Sequence, residues 1–341
     1  MSRAFLQPLL APVWAAQLLS GAKSFADNPL IGSPWLNEKG LHAGRVRLAH
    51  HMARLRRARL ASGVDPADRA AFDRDGVVEI RDFLPPDQFE ALRRQVLAYR
   101  GPARETVQGD TITRRFAIDP PATRAMPAIR ALTSDPRWRS LARYAASFDV
   151  EPLLYIQSIL SHRHDAPPDP QLDLHSDTFH PSMKAWLFLE DVTPDIGPFT
   201  YVLGSHRLTP ERLAWERRRS LTVRDESCRL SARGSLRVEA DELPALALPP
   251  PTSFAVPANT LVIADTFGFH ARGPSTFAST RIELWAYGRR NPFRPLVGLD
   301  IGSLPGFAER RIALRWWARD RLAPFARHAW VDKGLKRPGD D

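Results

Sequence analysis

From residue 153 onward the chain is cut into short apolar, β-prone runs separated by Gly, Pro and Asp, and this punctuation limits the fold more than any other feature. The runs cover 153–161, 184–189, 199–203, 261–264 and 281–288. Short strands with turn residues between them read as a β-sandwich or jelly roll. Ahead of them the period changes to a helical one. Asp65-Pro66 opens a short helix through Phe72, Gly76 to Phe83 reads as one strand, and Pro85-Pro86-Asp87 starts a helix with Phe89, Leu92 and Val96 on one stripe. A further helix is expected over 136–148. Residues 210–219 read as a helical insertion, and 243–251 as a Pro-rich loop.

Both ends look different from this middle. Residues 4–22 are apolar but carry Gln7, Pro8, Pro12 and Gln17. They are short and interrupted for a transmembrane helix, and Arg3 alone ahead of them, with no small-x-small site behind, argues against a signal peptide. Leu41, Leu48, Met52 and Leu55 form one helical stripe flanked by Arg45, Arg47, Arg54, Arg56, Arg57 and Arg59, with Gly63 as the stop. Two readings stand: a helix docked on the core with a solvated Arg face, or a membrane-surface helix. His50 and His51 are expected in solvent. Near the other end, 308–321 is helix-like and holds Trp316 and Trp317 among arginines, with Trp330 following. These tryptophans suit core packing or an interfacial Trp/Arg belt.

The single cysteine, Cys228, excludes a disulfide framework and a Cys-based zinc site, and fits a reducing, cytoplasmic setting. A net charge of +10 and a pI near 10.4 suit an anionic partner: a phosphorylated or CoA-bearing substrate, an anionic membrane, or nucleic acid. Arg-rich composition can also follow from the base composition of a genome.

Chemistry concentrates in two segments. In Leu172-Asp173-Leu174-His175-Ser176-Asp177, residues two apart in an extended chain share a face, so His175 and Asp177 can present an imidazole nitrogen and a carboxylate oxygen to one metal. Two His and one carboxylate on one face of an octahedron leave three positions open, an arrangement suited to Fe(II). His-x-Asp alone is a weak signal. The second segment, Phe267-Gly268-Phe269-His270-Ala271-Arg272-Gly273, follows an apolar strand, and Arg281 comes eleven residues after His270 at the start of Ile282-Glu283-Leu284-Trp285. A buried Arg there needs an anion, and its planar fork suits a carboxylate.

With these segments assembled, the sequence resembles the phytanoyl-CoA dioxygenase family of Fe(II)/2-oxoglutarate oxygenases, which includes the ectoine hydroxylases. The resemblance runs from about Ala67 to Pro292. Phe72-Asp73-Arg74-Asp75-Gly76-Val77-Val78 with Asp82-Phe83-Leu84 is similar to the family's opening helix and strand, and Leu154-Tyr155-Ile156-Gln157-Ser158 to the strand before the metal site. Lys184-Ala185-Trp186, Gly197-Pro198-Phe199 and Leu203-Gly204-Ser205-His206-Arg207 resemble the stretch that ends in the family's Pro-Gly-Ser/Thr-His. The resemblance implies a mainly β fold with flanking helices, a double-stranded β-helix (cupin-like jelly roll). It implies His175, Asp177 and His270 as Fe(II) ligands and Arg281 as the anchor of the 2-oxoglutarate C5 carboxylate. It also implies Trp186 beside the co-substrate and Gln157 in polar contact with co-substrate or substrate. O2 is the second co-substrate, with ascorbate as an auxiliary.

Some positions depart from the family pattern. Val202-Leu203-Gly204 lacks the usual Pro, Ile196 replaces a frequent Asn, and Arg272 stands where a small hydroxyl residue is common. Arg272 could alter the 2-oxoglutarate contacts or add a second cation. Asp177 is intact, which disfavours halogenation. Lys184, one of five lysines, is a second candidate carboxylate anchor. His180 is a substrate contact or a loop His, and His206 reads as structural. Phe179, Phe199, Phe267 and Trp285 could line the cavity or fill the core. The expected organisation is a basic helical extension over 1–64, the dioxygenase domain over 65–295 and a C-terminal helical extension over 296–341 packed on or near the core. The expected activity is hydroxylation of an unactivated C–H bond in a small, anionic or lipid-like substrate, with peripheral attachment to anionic membrane and no nucleic-acid partner. A catalytically silent metal- and 2-oxoglutarate-binding barrel with a sensing or scaffold role is the alternative.

Overall fold

The computed structural model describes residues 3–295, 306–322 and 329–341. Eleven strands are described: β1 (Val77–Ile80), β2 (Gly101–Gln108), β3 (Thr111–Ala117), β4 (Leu153–Leu160), β5 (Met183–Phe188), β6 (Phe199–Tyr201), β7 (Thr252–Phe254), β8 (Leu261–Asp265), β9 (His270–Arg272), β10 (Thr280–Gly288) and β11 (Val331–Lys336). Eight form one antiparallel sheet in the order β1-β8-β5-β10-β4-β3-β2-β11, and three form a smaller sheet, β7-β6-β9. The two sheets face each other across an aromatic layer that includes Trp186, Phe199, Tyr201, Phe254 and Trp285. This is the expected jelly roll, with helices on the outer face of the large sheet. Helices Pro66–Asp75, Pro86–Ala98 and Pro136–Ala146 bury Phe72, Leu92 and Leu141 against Ile156, Leu284 and Ile263 of the strands.

Local chemistry sets the helix starts. Asp65, Asp135 and Thr209 each cap the helix that a proline opens at the next position, accepting from Ala67, Trp138 and Arg212 backbone N–H groups respectively. Gly76, at φ 79°, ends the first of these in a left-handed turn and releases the chain into β1. The β2–β3 hairpin closes on Gly109-Asp110, with Gln108 opposite Thr111 and Gly109 at φ 58°.

Helix Leu41–Leu60 forms, but its buried side is not the leucine stripe. Leu48 and Leu55 are each 48% exposed, while Ala43, Val46, Ala49 and Ala53 are buried. Small residues bring the helix close to the core, and buried arginines bond backbone carbonyls there. Arg45 donates to the carbonyls of Leu18, Ser20 and Ala22, and Arg56 to those of Ser147, Pro292 and Arg294. His50 also departs from expectation: its ring lies 4.3 Å from that of Phe267, and burial holds it well below the usual imidazole range. His51 is exposed as expected.

The C-terminal stretch gives helix Arg311–Leu322 and, at the sheet edge, β11 paired with β2. Positions 296–305 and 323–328 of the expected extension lie outside the described residues. Trp316 is half-buried over Tyr155, Trp317 is 57% exposed, and Trp330 turns toward the space between the sheets. Among the described residues no helix is long and apolar enough to cross a membrane.

Candidate metal centre

Backbone pairing brings the three expected ligands together. His175 and His270 are direct antiparallel partners, bonded in both directions at 3.0 and 2.9 Å, so their side chains leave the same face. Asp177 stands two residues on, and its N–H is held by the Thr266 carbonyl at 2.9 Å. The ligand atoms of all three lie within 4.8 Å of one another. Asp177 Oδ1 is 3.8 Å from His175 Nε2 and 3.6 Å from His270 Nε2.

Both imidazoles are preset for a cation. His175 Nδ1–H donates to the Asp173 carbonyl at 2.7 Å, and His270 Nδ1–H to the Gly268 carbonyl at 2.9 Å. Each bond leaves the Nε2 lone pair facing the cluster. His270 Nε2 is buried with no hydrogen-bond partner, the state of a donor atom that an ion would satisfy. Burial, then the neighbouring His270, hold His175 well below the usual imidazole range. Burial alone would raise the Asp177 carboxyl, but Lys184 and the two imidazoles outweigh it and hold the group well below its ordinary value. Position 268 has to be glycine, because a Cβ there would collide with the Tyr201 hydroxyl, which bonds the Asp265 carbonyl at 2.8 Å.

The cluster sits in a pocket of about 220 Å³ between the sheets. Trp186 and Phe199, with ring centroids 4.2 Å apart, and Trp285 form aromatic walls. Four cations line the rest, and three are already compensated. Lys184, considered as a second anchor, instead holds Asp177 Oδ2 at 2.7 Å. Arg272 is paired with the buried Asp169, so its charge is spent inside the wall. Arg281 is buried, donates Nε–H to Glu283 Oε2 at 2.8 Å and Nη1–H to the Gly197 carbonyl. Gln157 donates to the other oxygen of Glu283 at 2.7 Å.

Arg115 is the fourth cation and escaped the sequence reading. It donates Nε–H to Gln157 at 2.8 Å and lies 3.7 Å over the Trp285 ring and 4.6 Å over that of Trp330. Burial lowers its guanidinium to about 10, and it has no carboxylate partner among the described residues. It comes from β3, which the sequence reading left out. The Gly109-Asp110 pair between two β-prone runs was the available signal.

Among the remaining candidates, Phe179 and Phe267 pack against helix Leu41–Leu60 rather than lining the pocket. His180 is buried, and its Nδ1–H donates to the Pro181 carbonyl at 2.9 Å. His206 packs beside Phe72, with ring centroids 6.0 Å apart.

A jelly roll with a His-Asp-His cluster at its mouth and a buried Arg on the neighbouring strand is an Fe(II)/2-oxoglutarate-dependent oxygenase-type fold. Residues 72–242 match the phytanoyl-CoA dioxygenase (PhyH) family, and the chain belongs to that family. The matched stretch contains His175 and Asp177, while His270 and Arg281 lie beyond it.

Similar solved structures include the epimerase SnoN in complex with Fe3+, alpha-ketoglutarate and nogalamycin RO, at 20% identity over 65% of this chain and 84% of that one, TM-score 0.42. HygX from Streptomyces hygroscopicus with nickel and 2-oxoglutarate bound matches at 20% identity over 66% and 87%, TM-score 0.41. AviO1 from Streptomyces viridochromogenes Tue57 matches at 18% identity over 70% and 96%, TM-score 0.39. No curated protein sequence matches the chain.

Proposed function

We propose that the protein is an Fe(II)- and 2-oxoglutarate-dependent dioxygenase that hydroxylates an unactivated C–H bond. The observation that carries this reading is the convergence of His175, Asp177 and His270 at one end of a pocket that also holds Arg281. The donor set fits a divalent cation: two imidazole Nε2 atoms with their Nδ1–H groups tied to carbonyls, and one carboxylate oxygen between them. Iron held there would activate O2 toward a C–H bond, with O2 as the oxidant and 2-oxoglutarate giving up two of the four electrons as it is decarboxylated.

The chain's own residues orient and exclude. Lys184 holds Oδ2 of Asp177, which leaves Oδ1 toward the imidazoles. Glu283 and the Gly197 carbonyl fix the guanidinium of Arg281, which receives the far carboxylate of 2-oxoglutarate. Arg115, uncompensated and set against two indoles, offers a second fork to the carboxylates brought into the pocket. Trp186, Phe199 and Trp285 keep water away from the reacting centre.

The test is metal content together with turnover. Purified protein given Fe(II), ascorbate and 2-oxoglutarate should form succinate slowly without substrate. His175→Ala should lower iron affinity by more than about 100-fold, beyond the loss expected for a residue that only supports a ligand. Retention of iron by His175→Ala sinks the ligand assignment. Tight metal and 2-oxoglutarate binding with no succinate across a broad substrate panel would leave a silent barrel instead.

A further inference from the structure

Following β10 out of the metal pocket leads to a second, larger cleft. Trp285 lines the metal pocket. Tyr287, on the same face of the strand, stacks on it at 5.6 Å with the ring planes 9° apart, and lines a cleft of about 680 Å³. Tyr287 is also the cross-strand partner of Lys184, whose ammonium reaches Asp177 at 2.7 Å. At about 3.4 Å per residue, the cleft therefore opens roughly 7 Å along the strand from the pocket.

The charge on its wall is lopsided. Among the described residues, Arg289, Arg290, Arg294, Arg311 and Arg315 line it, with Glu151 as the one carboxylate. That carboxylate is already engaged by Arg139 at 3.0 Å and Arg143 at 2.6 Å. Arg311 is oriented by the carbonyls of Ala308 and Glu151, at 2.8 and 2.9 Å. Arg289 lies 5.5 Å from the Tyr287 ring centroid. Neither Arg289 nor Arg315 has a carboxylate partner among the described residues. Burial first, and then Arg311, Arg294 and Arg315, pull the Arg290 guanidinium down to about 10. Crowded guanidinium groups repel, and a bound anion with several oxygens relieves that repulsion. Phe148, Val150 and Leu153 give the same cleft an apolar floor.

We propose that this cleft binds a phosphate ester. The substrate of the oxygenase reaction, on which this inference rests, carries a phosphate or diphosphate seated among Arg289, Arg311 and Arg315. Its carbon skeleton lies over Phe148 and Leu153 and passes Tyr287 and Trp285 toward the His175, Asp177 and His270 cluster. A single carboxylate would occupy one guanidinium fork, whereas a phosphate group offers oxygens to several. The volume suits a small molecule rather than a polymer.

The experiment titrates the full-length protein with inorganic pyrophosphate and with dodecyl phosphate below its micelle threshold. A second arm uses phosphatidylcholine vesicles with and without phosphatidic acid. Wild type is compared with the R311Q/R315Q and R311K/R315K pairs, and folding is checked by circular dichroism. Wild type should bind the soluble phosphates one to one, more weakly as salt rises. R311Q/R315Q should weaken binding at least tenfold, and R311K/R315K should lose less. If the Gln pair fails to fold, Arg289→Gln, at an exposed position, carries the same comparison. Binding only to phosphatidic acid vesicles, lost in R311Q/R315Q, assigns the phosphate to a lipid headgroup. No binding in either arm, or binding that R311Q/R315Q leaves within twofold, overturns the proposal. The titration needs neither iron nor 2-oxoglutarate. A failure here with succinate formation intact therefore removes the phosphate and leaves the oxygenase, and the opposite pattern does the reverse.

Discussion

One face of the eight-stranded sheet meets helices, the other meets the three-stranded sheet, and single strands serve both. On β10, Ile282, Leu284 and Ala286 go to the helices, while Arg281 and Trp285 go to the metal pocket. On β5, Met183, Ala185 and Leu187 alternate in the same way with Lys184 and Trp186. The helix side is held mainly by apolar volume, with the Arg57–Asp265 pair at the end of β8. The pocket side is held by compensated charge: Lys184 with Asp177, Arg272 with Asp169, Arg281 with Glu283. Strand alternation lets one backbone carry both without mixing them. A defect on the helix side should therefore show in stability only. A defect on the pocket side should show in stability that an anionic ligand can restore.

Glu283 and Leu284, adjacent on β10, put this contrast to the sharpest test. Glu283 is fully buried and balances Arg281. Glu283→Gln leaves that guanidinium uncompensated and should cost about 3–5 kcal/mol of stability. The far carboxylate of 2-oxoglutarate then supplies the missing charge, so the co-substrate should raise the melting temperature of Glu283→Gln more than that of wild type. Arg115 is the mirror case, a cation with no carboxylate to leave unpaired, so Arg115→Gln should cost the ligand-free protein less than Glu283→Gln does, through the lost Gln157 bond and indole stacking. Denaturant unfolding with and without 2-oxoglutarate reads both. An equal response to 2-oxoglutarate in wild type and Glu283→Gln breaks the contrast.

Leu284 is 1% exposed on the helix side. Leu284→Ala should cost roughly 2–5 kcal/mol by removing packed volume. Iron content and 2-oxoglutarate affinity per folded molecule should match wild type. A co-substrate affinity reduced tenfold in the folded variant would mean that the two faces are not independent.

The same alternation explains what could be read from the sequence. The strands at 153, 184, 261 and 281 were legible because they are buried on both faces and stand out as apolar runs. The His-x-Asp pair was legible because two-residue spacing fixes a shared face. The β2–β3 hairpin was not, because Arg104, Glu105, Arg114 and Arg115 interrupt its apolar pattern, and these charges are buried by pairing across strands and stacking on indoles. The leucine stripe of helix Leu41–Leu60 misled for a related reason. Hydrophobic periodicity cannot foresee arginines buried against backbone carbonyls, as Arg45 and Arg56 are. The charge pairs of the pocket were invisible in one dimension: Asp169 and Arg272 stand more than a hundred residues apart.

The smallest expected effect concerns acid, and it separates the pocket from the rest of the molecule. His206 is buried beside Phe72, outside the metal pocket, and its Nδ1 has no hydrogen-bond partner. Burial chiefly, with Arg57 and Arg207 adding to it and Asp265 and Asp73 opposing, lowers this imidazole to about 4. Between its ordinary value of 6.5 and about 4 the unfolded chain takes up a proton that the folded chain refuses. Stability contributed by neutral His206 is thus fully present above pH 6.5 and is lost as pH falls toward 4, at up to about 1.4 kcal/mol per pH unit. Replacing His206 with Phe keeps the ring and removes the proton site, so its stability should fall less steeply between pH 6.5 and 5 than that of wild type. Saturating metal should leave that difference between the two proteins unchanged, because His206 is not part of the metal cluster. Parallel stability curves for wild type and His206→Phe would place the acid sensitivity elsewhere. Suppression of the difference by metal would place it in the pocket.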